Sequence, residues 1–215
     1  MQRLNKTIHQ IYWSDETLPD EYMDNIEIIV HHHPDWKYIL WDEKSCLELL
    51  ENEMSDVLHY IDRCKHIIQK CDLMRYFILY NQGGLYLDLD IKMFKPFEYI
   101  LTKYPDSQEI FFKENTKERL VTNSVMFSYP NSYIFKKCIE WLKLSDTTIK
   151  SSKDIILTTG PAFLTKIASM YSCLPSTNHV ILPSEYFEPE ADQIDTAVGL
   201  HYYAGSWYND KNMVF

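Results

Sequence analysis

Between about Asp62 and Asp90 the hydrophobic period of the chain changes within a few residues, and this switch constrains the fold more than any other feature. Ile67, Cys71, Met74 and Ile78 recur at helical spacing up to about Asn81, and Phe77 widens that apolar stripe. Gly83-Gly84 ends the helix, because glycine takes a positive φ without a Cβ penalty. Leu85 to Asp90 (LYLDLD) then reads as a strand that enters the core and emerges with two carboxylates. Helix, glycine turn and strand fold back as one unit, the pattern of a layered α/β domain.

The rest of the chain extends that pattern. Thr7 to Trp13 (TIHQIYW) reads as a first strand, and Pro19 opens a helix carrying Tyr22, Met23, Ile26, Ile29 and Val30. His33-Pro34-Asp35 is a turn before a second strand, Trp36 to Trp41. Glu109 to Lys113 and Val121 to Ser128 are expected strands, and Ser132 to Leu144 a helix with Ile134, Phe135, Cys138 and Trp141 inward. Gly160-Pro161 precedes another helix. Gly199 to Tyr203 is a last short strand, followed by the loop Ala204-Gly205-Ser206-Trp207. This alternation predicts an α/β fold with a mostly parallel central sheet flanked by helices. Ligands of such sheets sit at the carboxyl ends of strands, where Asp88 and Asp90 fall.

Composition narrows the class. With 215 residues and 46% hydrophobic content, one domain over residues 1–215 buries a real core without disulfides or metal staples. The chain ends on Met213-Val214-Phe215 with no polar tail, which leaves open that it is one domain of a longer polypeptide. Its 21 Lys+Arg against 31 Asp+Glu give a formal charge of −10, so it is a poor ligand for nucleic acid or anionic membranes. No stretch approaches the roughly 18 apolar residues of a membrane span, and the N-terminus has no apolar signal core. The five cysteines (Cys46, Cys64, Cys71, Cys138, Cys173) are scattered and form no CxxC pair, so they read as reduced thiols of a cytoplasmic protein.

Two residues apart on a strand, Asp88 and Asp90 point to one face. Converging carboxylates repel each other unless a cation sits between them, and oxygen ligands suit Mg²⁺ or Mn²⁺. An anionic chain with an acidic site holds a diphosphate only if metal bridges the like charges. The competing reading is an acidic turn facing solvent. Upstream, Asp72 and Arg75 share a helix face with Tyr76 and Leu79, a stripe that lies beside the apolar one. Such a pair is either a surface ion pair worth about 0.2–0.5 kcal/mol or a fork and a carboxylate aimed at the same site.

The run Cys71-Asp72-Leu73-Met74-Arg75-Tyr76, continued through Leu79 and Gly83-Gly84-Leu85-Tyr86-Leu87-Asp88-Leu89-Asp90, resembles the DXD sugar-binding region of family-32 glycosyltransferases, approximately SDxxRxxxLxxxGGxYxDxD. That family's neighbours include yeast initiating mannosyltransferases and, more remotely, clostridial glucosylating toxins. Ile8-His9-Gln10-Ile11-Tyr12-Trp13 is similar to its IHQxW first strand, and Cys71 stands where it usually has Ser. The chain is also similar to domains encoded by large algal viruses.

The resemblance implies a GT-A-type fold. It implies Mn²⁺- or Mg²⁺-dependent transfer, with retention, of a hexose or deoxyhexose from a nucleotide-diphosphate sugar to a glycan or glycoprotein hydroxyl. UDP is the favoured nucleotide and GDP the second. Carried over residue by residue, Asp88 contacts the donor ribose and the metal, Asp90 ligates the metal, and Asp72 and Arg75 hold the sugar's hydroxyls. Tyr12 and Trp13 border the base, and Tyr86 belongs to the donor-binding run. His201 with Ser206-Trp207 is similar to a late H…SW element that closes over the diphosphate and adds a metal ligand. Asn123 and Gly160-Pro161 fall where the family lines its acceptor pocket. On the residues alone, Trp207 also reads as a core aromatic and His201 as a satisfied strand histidine.

Two rivals stand beside this reading. One is a non-catalytic module that retains nucleotide sugar or glycan without turnover. The other is a haloacid-dehalogenase-like phosphatase, but that chemistry wants DxD on the first strand, and here about 85 residues precede it. His31-His32-His33 reads as a solvated helix end, since adjacent helical side chains point about 100° apart and cannot chelate together. GxSxG, GxxxxGK[ST] and GxGxxG are all absent, which removes support for hydrolase, P-loop and Rossmann readings.

Overall fold

The computed structural model describes residues 4–145, 149, 151–172 and 178–204. In chain order its elements are β1 (Thr7–Ile11), α1 (Asp20–His32), β2 (Lys37–Trp41), α2 (Glu43–Glu53), α3 (Leu58–Arg63), α4 (Ile67–Gln82), β3 (Gly84–Leu87) and β4 (Ile91–Met93). They continue with α5 (Glu98–Lys103), β5 (Glu109–Lys113), β6 (Val121–Ser128), α6 (Tyr133–Leu144), α7 (Ser152–Thr158), α8 (Pro161–Tyr171), β7 (His179–Leu182) and β8 (Gly199–His201).

Six strands form one sheet in the order β2-β1-β3-β6-β5-β7. The pairings β1–β2, β1–β3 and β5–β7 are parallel, while β6 runs antiparallel to both β3 and β5. The central sheet is therefore mostly parallel. A separate antiparallel ribbon joins β4 to β8, with Ile91 opposite His201. Alternation along β3 sends Leu85 and Leu87 to one face of the sheet and Tyr86 to the other. On the Tyr86 face α4, α6 and α8 pack through Tyr76, Phe77, Phe135 and Leu164. The opposite face is covered by Ile29 of α1, Ile100 of α5 and Met93 of the ribbon.

The glycine pair makes the α4–β3 corner. Gly83 and Gly84 have φ of 65° and 98°. A Cβ on Gly84 would lie 2.4 Å from the Thr7 carbonyl oxygen, and one on Gly83 2.6 Å from the Pro130 nitrogen. Only residues without a side chain let β3 enter at this angle against β1.

Several expectations are corrected by the tertiary packing. β3 stops at Leu87: the Asp88 carbonyl accepts from Ile91 N–H at 3.1 Å, so Asp88 and Asp90 sit on a turn rather than within a strand. α4 starts at Ile67, which is half exposed, and every residue from Asp72 to Leu79 is buried. The Asp72/Arg75/Tyr76/Leu79 stripe is therefore interior, because the sheet covers one side of α4 and α6 the other. On α1, Met23 and Val30 are exposed while Asn25 is buried. Trp141 is only partly buried, with Lys166 Nζ 4.5 Å above its ring. The first strand is shorter than expected, ending at Ile11, and the last ends at His201.

α2 was not anticipated, although its start is visible as Asp42-x-x-Ser45: Asp42 Oδ1 accepts from Ser45 N–H at 2.7 Å and Ser45 Oγ accepts from Asp42 N–H at 3.0 Å. In the triple-histidine run, His33 is buried, its Nδ1 bonding the Ile29 carbonyl at 2.6 Å and its Nε2 accepting from Phe97 N–H at 2.8 Å. Only His31 and His32 belong to the solvated helix end. Among the described residues no helix is long and apolar enough to cross a membrane. Cys46, Cys64, Cys71 and Cys138 are free thiols, and Cys173 lies outside the described residues.

Candidate active site

The turn after β3 is held from three directions. Asp88 N–H donates to the Ser124 carbonyl of β6 at 2.8 Å, which extends the ladder by one bond. Gln10 of β1 donates through Nε2 to the Asp88 carbonyl at 3.0 Å, and Asn25 of α1 donates through Nδ2 to the Leu89 carbonyl at 3.0 Å. Tyr38 OH in turn donates to Gln10 Oε1 at 2.8 Å. Gln10, Asn25 and Ser124 are positioning groups that the sequence reading missed, although Gln10 sits in the IHQ run.

Two carboxylates and one imidazole converge there. Asp88, Asp90 and His201 present ligand atoms that all lie within 4.8 Å of one another. His201 Nε2 is 3.4 Å from Asp90 Oδ1, and its Nδ1 is 3.5 Å from Ser124 Oγ. Tyr203 stacks on the imidazole at 3.9 Å between centroids. Asp90 also accepts from Ala204 N–H through Oδ2 at 2.8 Å and from Tyr202 N–H through its carbonyl at 3.0 Å, so residues 201–204 wrap the acidic turn. Burial works against ionisation of Asp90, but His201 and the Ala204 N–H outweigh it and hold the carboxyl below its usual range. Burial likewise opposes a charged His201, and the two aspartates outweigh it, raising its pKa.

Behind this cluster lies a buried ionic network. Arg75 Nη1 is 3.2 Å from Asp88 Oδ1 and donates to the Asn123 carbonyl at 2.7 Å, while Nη2 is 3.4 Å from Asp72 Oδ1. The guanidinium carbon stands 4.9 Å from the Tyr86 ring centroid, and Tyr86 OH donates to Asp88 Oδ1 at 2.8 Å. Asp72 accepts from Asn123 Nδ2 through Oδ1 and from Thr159 Oγ through Oδ2, both at 2.8 Å. Burial pushes the Asp72 carboxyl up to about 6 even with Arg75 beside it, and raises that of Asp88 as well. Among the described residues Arg75 Nε is buried without a partner, an orphan donor inside a polar site.

The remaining expected residues divide. Trp13 is 7% exposed and packs in the core under α4, with Lys70 Nζ 5.6 Å from its ring centroid. Tyr12 is half-buried just past β1 and donates through its hydroxyl to the Thr17 carbonyl at 3.2 Å. Asn123 belongs to the Asp72 network, and Gly160 caps α8 ahead of Pro161. Ser206 and Trp207 lie outside the described residues.

A sheet with helices on both faces and a DxD turn at the carboxyl end of an inner strand is the arrangement of a GT-A-type fold. The family model for the glycosyltransferase sugar-binding region containing a DXD motif matches residues 19–111. It is 26% identical to inositol phosphoceramide mannosyltransferase 1 of Schizosaccharomyces pombe, over 100% of this chain and 66% of that protein. It is 28% identical to an uncharacterized glycosyltransferase of Acanthamoeba polyphaga mimivirus, over 95% of this chain and 75% of that one. Among solved structures, the PaToxG glycosyltransferase superposes with a TM-score of 0.62 at 16% identity, covering 80% of this chain and 70% of that chain, a likeness of fold. The chain spans between 43% and 66% of the length of the first three curated yeast relatives it matches.

Proposed function

We propose that this protein transfers a hexosyl group from a nucleoside-diphosphate sugar to an acceptor hydroxyl, with a divalent cation and with retention at the anomeric carbon. The observation that carries this reading is the convergence of Asp88, Asp90 and His201 within 4.8 Å at the carboxyl end of β3, backed by Arg75. A mixed oxygen and imidazole donor set in an anionic chain fits Mn²⁺, with Mg²⁺ as the harder alternative. When bound, such an ion supplies Lewis-acid neutralisation of charge on the departing diphosphate.

The chain's own groups divide the remaining work. Asp90 and His201 ligate the cation, and Asp88 ligates it while meeting the donor ribose. Arg75 holds Asp88 in place, and with Asp72 it orients the sugar. Tyr12 borders the base. The acceptor oxygen bonds to the anomeric carbon on the face from which the nucleoside diphosphate leaves, and the acceptor proton passes to the leaving phosphate oxygen. Nothing in this set offers a nucleophile dedicated to a covalent intermediate, so a front-face displacement is the reading adopted.

Relatives named as mannosyltransferases favour mannose as the transferred sugar, which brings GDP-mannose level with the UDP-sugars as donor. A thermal-shift panel of UDP- and GDP-sugars with and without Mn²⁺ tests donor and metal together, because a ligand that binds only the folded state raises its melting temperature. No stabilisation by any metal–donor pair would refute the proposal, and NMR showing inversion at the product's anomeric centre would remove retention.

A further inference from the structure

A cavity of about 970 Å³ opens beside the metal cluster, between the outer face of α1 and the β4–β8 ribbon. Asp90 forms part of its wall, so the cavity and the candidate cation site share a residue. The α1 side presents Glu21, Asp24 and Glu27, all exposed, and Asp24 and Glu27 lie one helical turn apart. Across from them stands Tyr202, 52% exposed, in the segment that wraps Asp90.

The charge balance of this wall is lopsided. Apart from Asp90, which belongs to the cation cluster, its three carboxylates face one ammonium, that of Lys92, and the imidazoles of His31 and His32. Burial and the neighbouring His31 lower the pKa of His32, which disfavours its charged form. A phosphodiester entering here meets like charge, whereas an uncharged ring loses nothing to repulsion. Carboxylates accept hydroxyl protons from neighbouring positions of a polyol, and an exposed tyrosine ring packs against the C–H face of a sugar.

We propose that this cavity is the acceptor subsite and that it takes an uncharged sugar ring, the terminal residue of a glycan, with Asp24, Glu27 and Tyr202 setting its affinity. The inference rests on the transferase reading above and deepens it, since it separates a neutral glycan from an anionic lipid headgroup as acceptor. Asp24 and Glu27 lie on the exposed face of α1, so their replacement leaves folding and donor binding intact, whereas Tyr202 belongs to the segment that closes around Asp90.

The test compares the wild-type chain with the double variant Asp24→Asn/Glu27→Gln and with Tyr202→Ala. Donor hydrolysis and Mn²⁺-dependent donor binding are measured first, followed by transfer to methyl hexopyranosides, short oligosaccharides and glycerophosphoinositol. The expected result is transfer to neutral saccharides in preference to glycerophosphoinositol, an acceptor KM raised by about fivefold or more in each variant, and donor hydrolysis unchanged in Asp24→Asn/Glu27→Gln. An unchanged saccharide KM in both variants overturns the proposal, as does preference for glycerophosphoinositol or failure of every neutral saccharide to accept. A wild-type chain that binds no metal–donor pair sinks the transferase reading instead, which keeps the two failures apart.

Discussion

Arg75 of α4 lies 3.2 Å from Asp88, the first residue past β3, and 3.4 Å from Asp72 of its own helix. One guanidinium thus ties the helix to the acidic turn on both sides of the glycine corner. Removing it strands a carboxylate that is 2% exposed. Arg75→Ala is therefore expected to destabilise the fold by about 3–5 kcal/mol, the cost of an uncompensated buried charge. Adding Asp72→Asn should recover part of that loss. Urea unfolding of the two single variants and the double variant measures the coupling, and strict additivity would show that the pair is not energetically linked.

Arg75→Lys keeps the charge and loses the fork. A single ammonium cannot hold both Asp72 and Asp88 while serving the Asn123 carbonyl. Donor affinity should fall about tenfold with a much smaller stability change, read by isothermal titration in Mn²⁺ against urea unfolding.

His201 and Asp90 make an ion pair in which the imidazole pKa is raised, and a ligating imidazole must be neutral. Below its raised pKa, protons compete with the metal for His201. Mn²⁺ affinity should therefore climb as pH rises above the ordinary imidazole value of about 6.5, more steeply than for an all-carboxylate site. His201→Asn should flatten that profile, and calorimetry at three pH values in two buffers of different ionisation heat reports the released proton directly.

Glu114, just past β5, is pushed up to about 7 by burial and then by the Glu188 charge. Its folded-state pKa lies above the ordinary glutamate value, so the folded chain holds a proton that the unfolded chain has lost between about pH 4.5 and 7. Stability contributed by this group falls as pH rises through that window. Glu114→Gln should match the wild type at pH 4.5 and exceed it at pH 8 by on the order of 2 kcal/mol, as measured by urea unfolding at both pH values.

Gly84→Ala meets both a positive φ of 98° and the Thr7 carbonyl 2.4 Å from the new Cβ. The backbone of β1 cannot yield without breaking its pairing to β3. A loss of about 3 kcal/mol or more is expected, and a melting temperature within a degree or two of wild type would contradict the packing described.

Much of this architecture is local in origin and readable from the chain. The Gly83-Gly84 pair, the alternation of β3, the Ser132 cap of α6 and Pro161 at the start of α8 act through φ preferences and hydrogen bonds within a few residues. β5 and β6 begin and end where the apolar runs do. The choice of Asp72, Arg75, Asp88, Asp90 and His201 as residues of interest also came from spacing and resemblance, and the folded chain gathers all five at one end of β3.

What the linear pattern could not decide is where each group stands. Periodicity gave α4 one apolar stripe with Asp72 and Arg75 beside it, yet both are buried, because that side of the helix lies against Tyr86 of β3, Asn123 of β6 and Thr159 between α7 and α8. Alternation put Asp88 and Asp90 on a strand, whereas a turn bond to Ile91 bends the chain so that residues 201–204, more than a hundred positions downstream, close around Asp90. Turn chemistry and helix period are set by neighbours in sequence. Desolvation, and the meeting of distant charges, exist only once the sheet and its two helical layers have assembled.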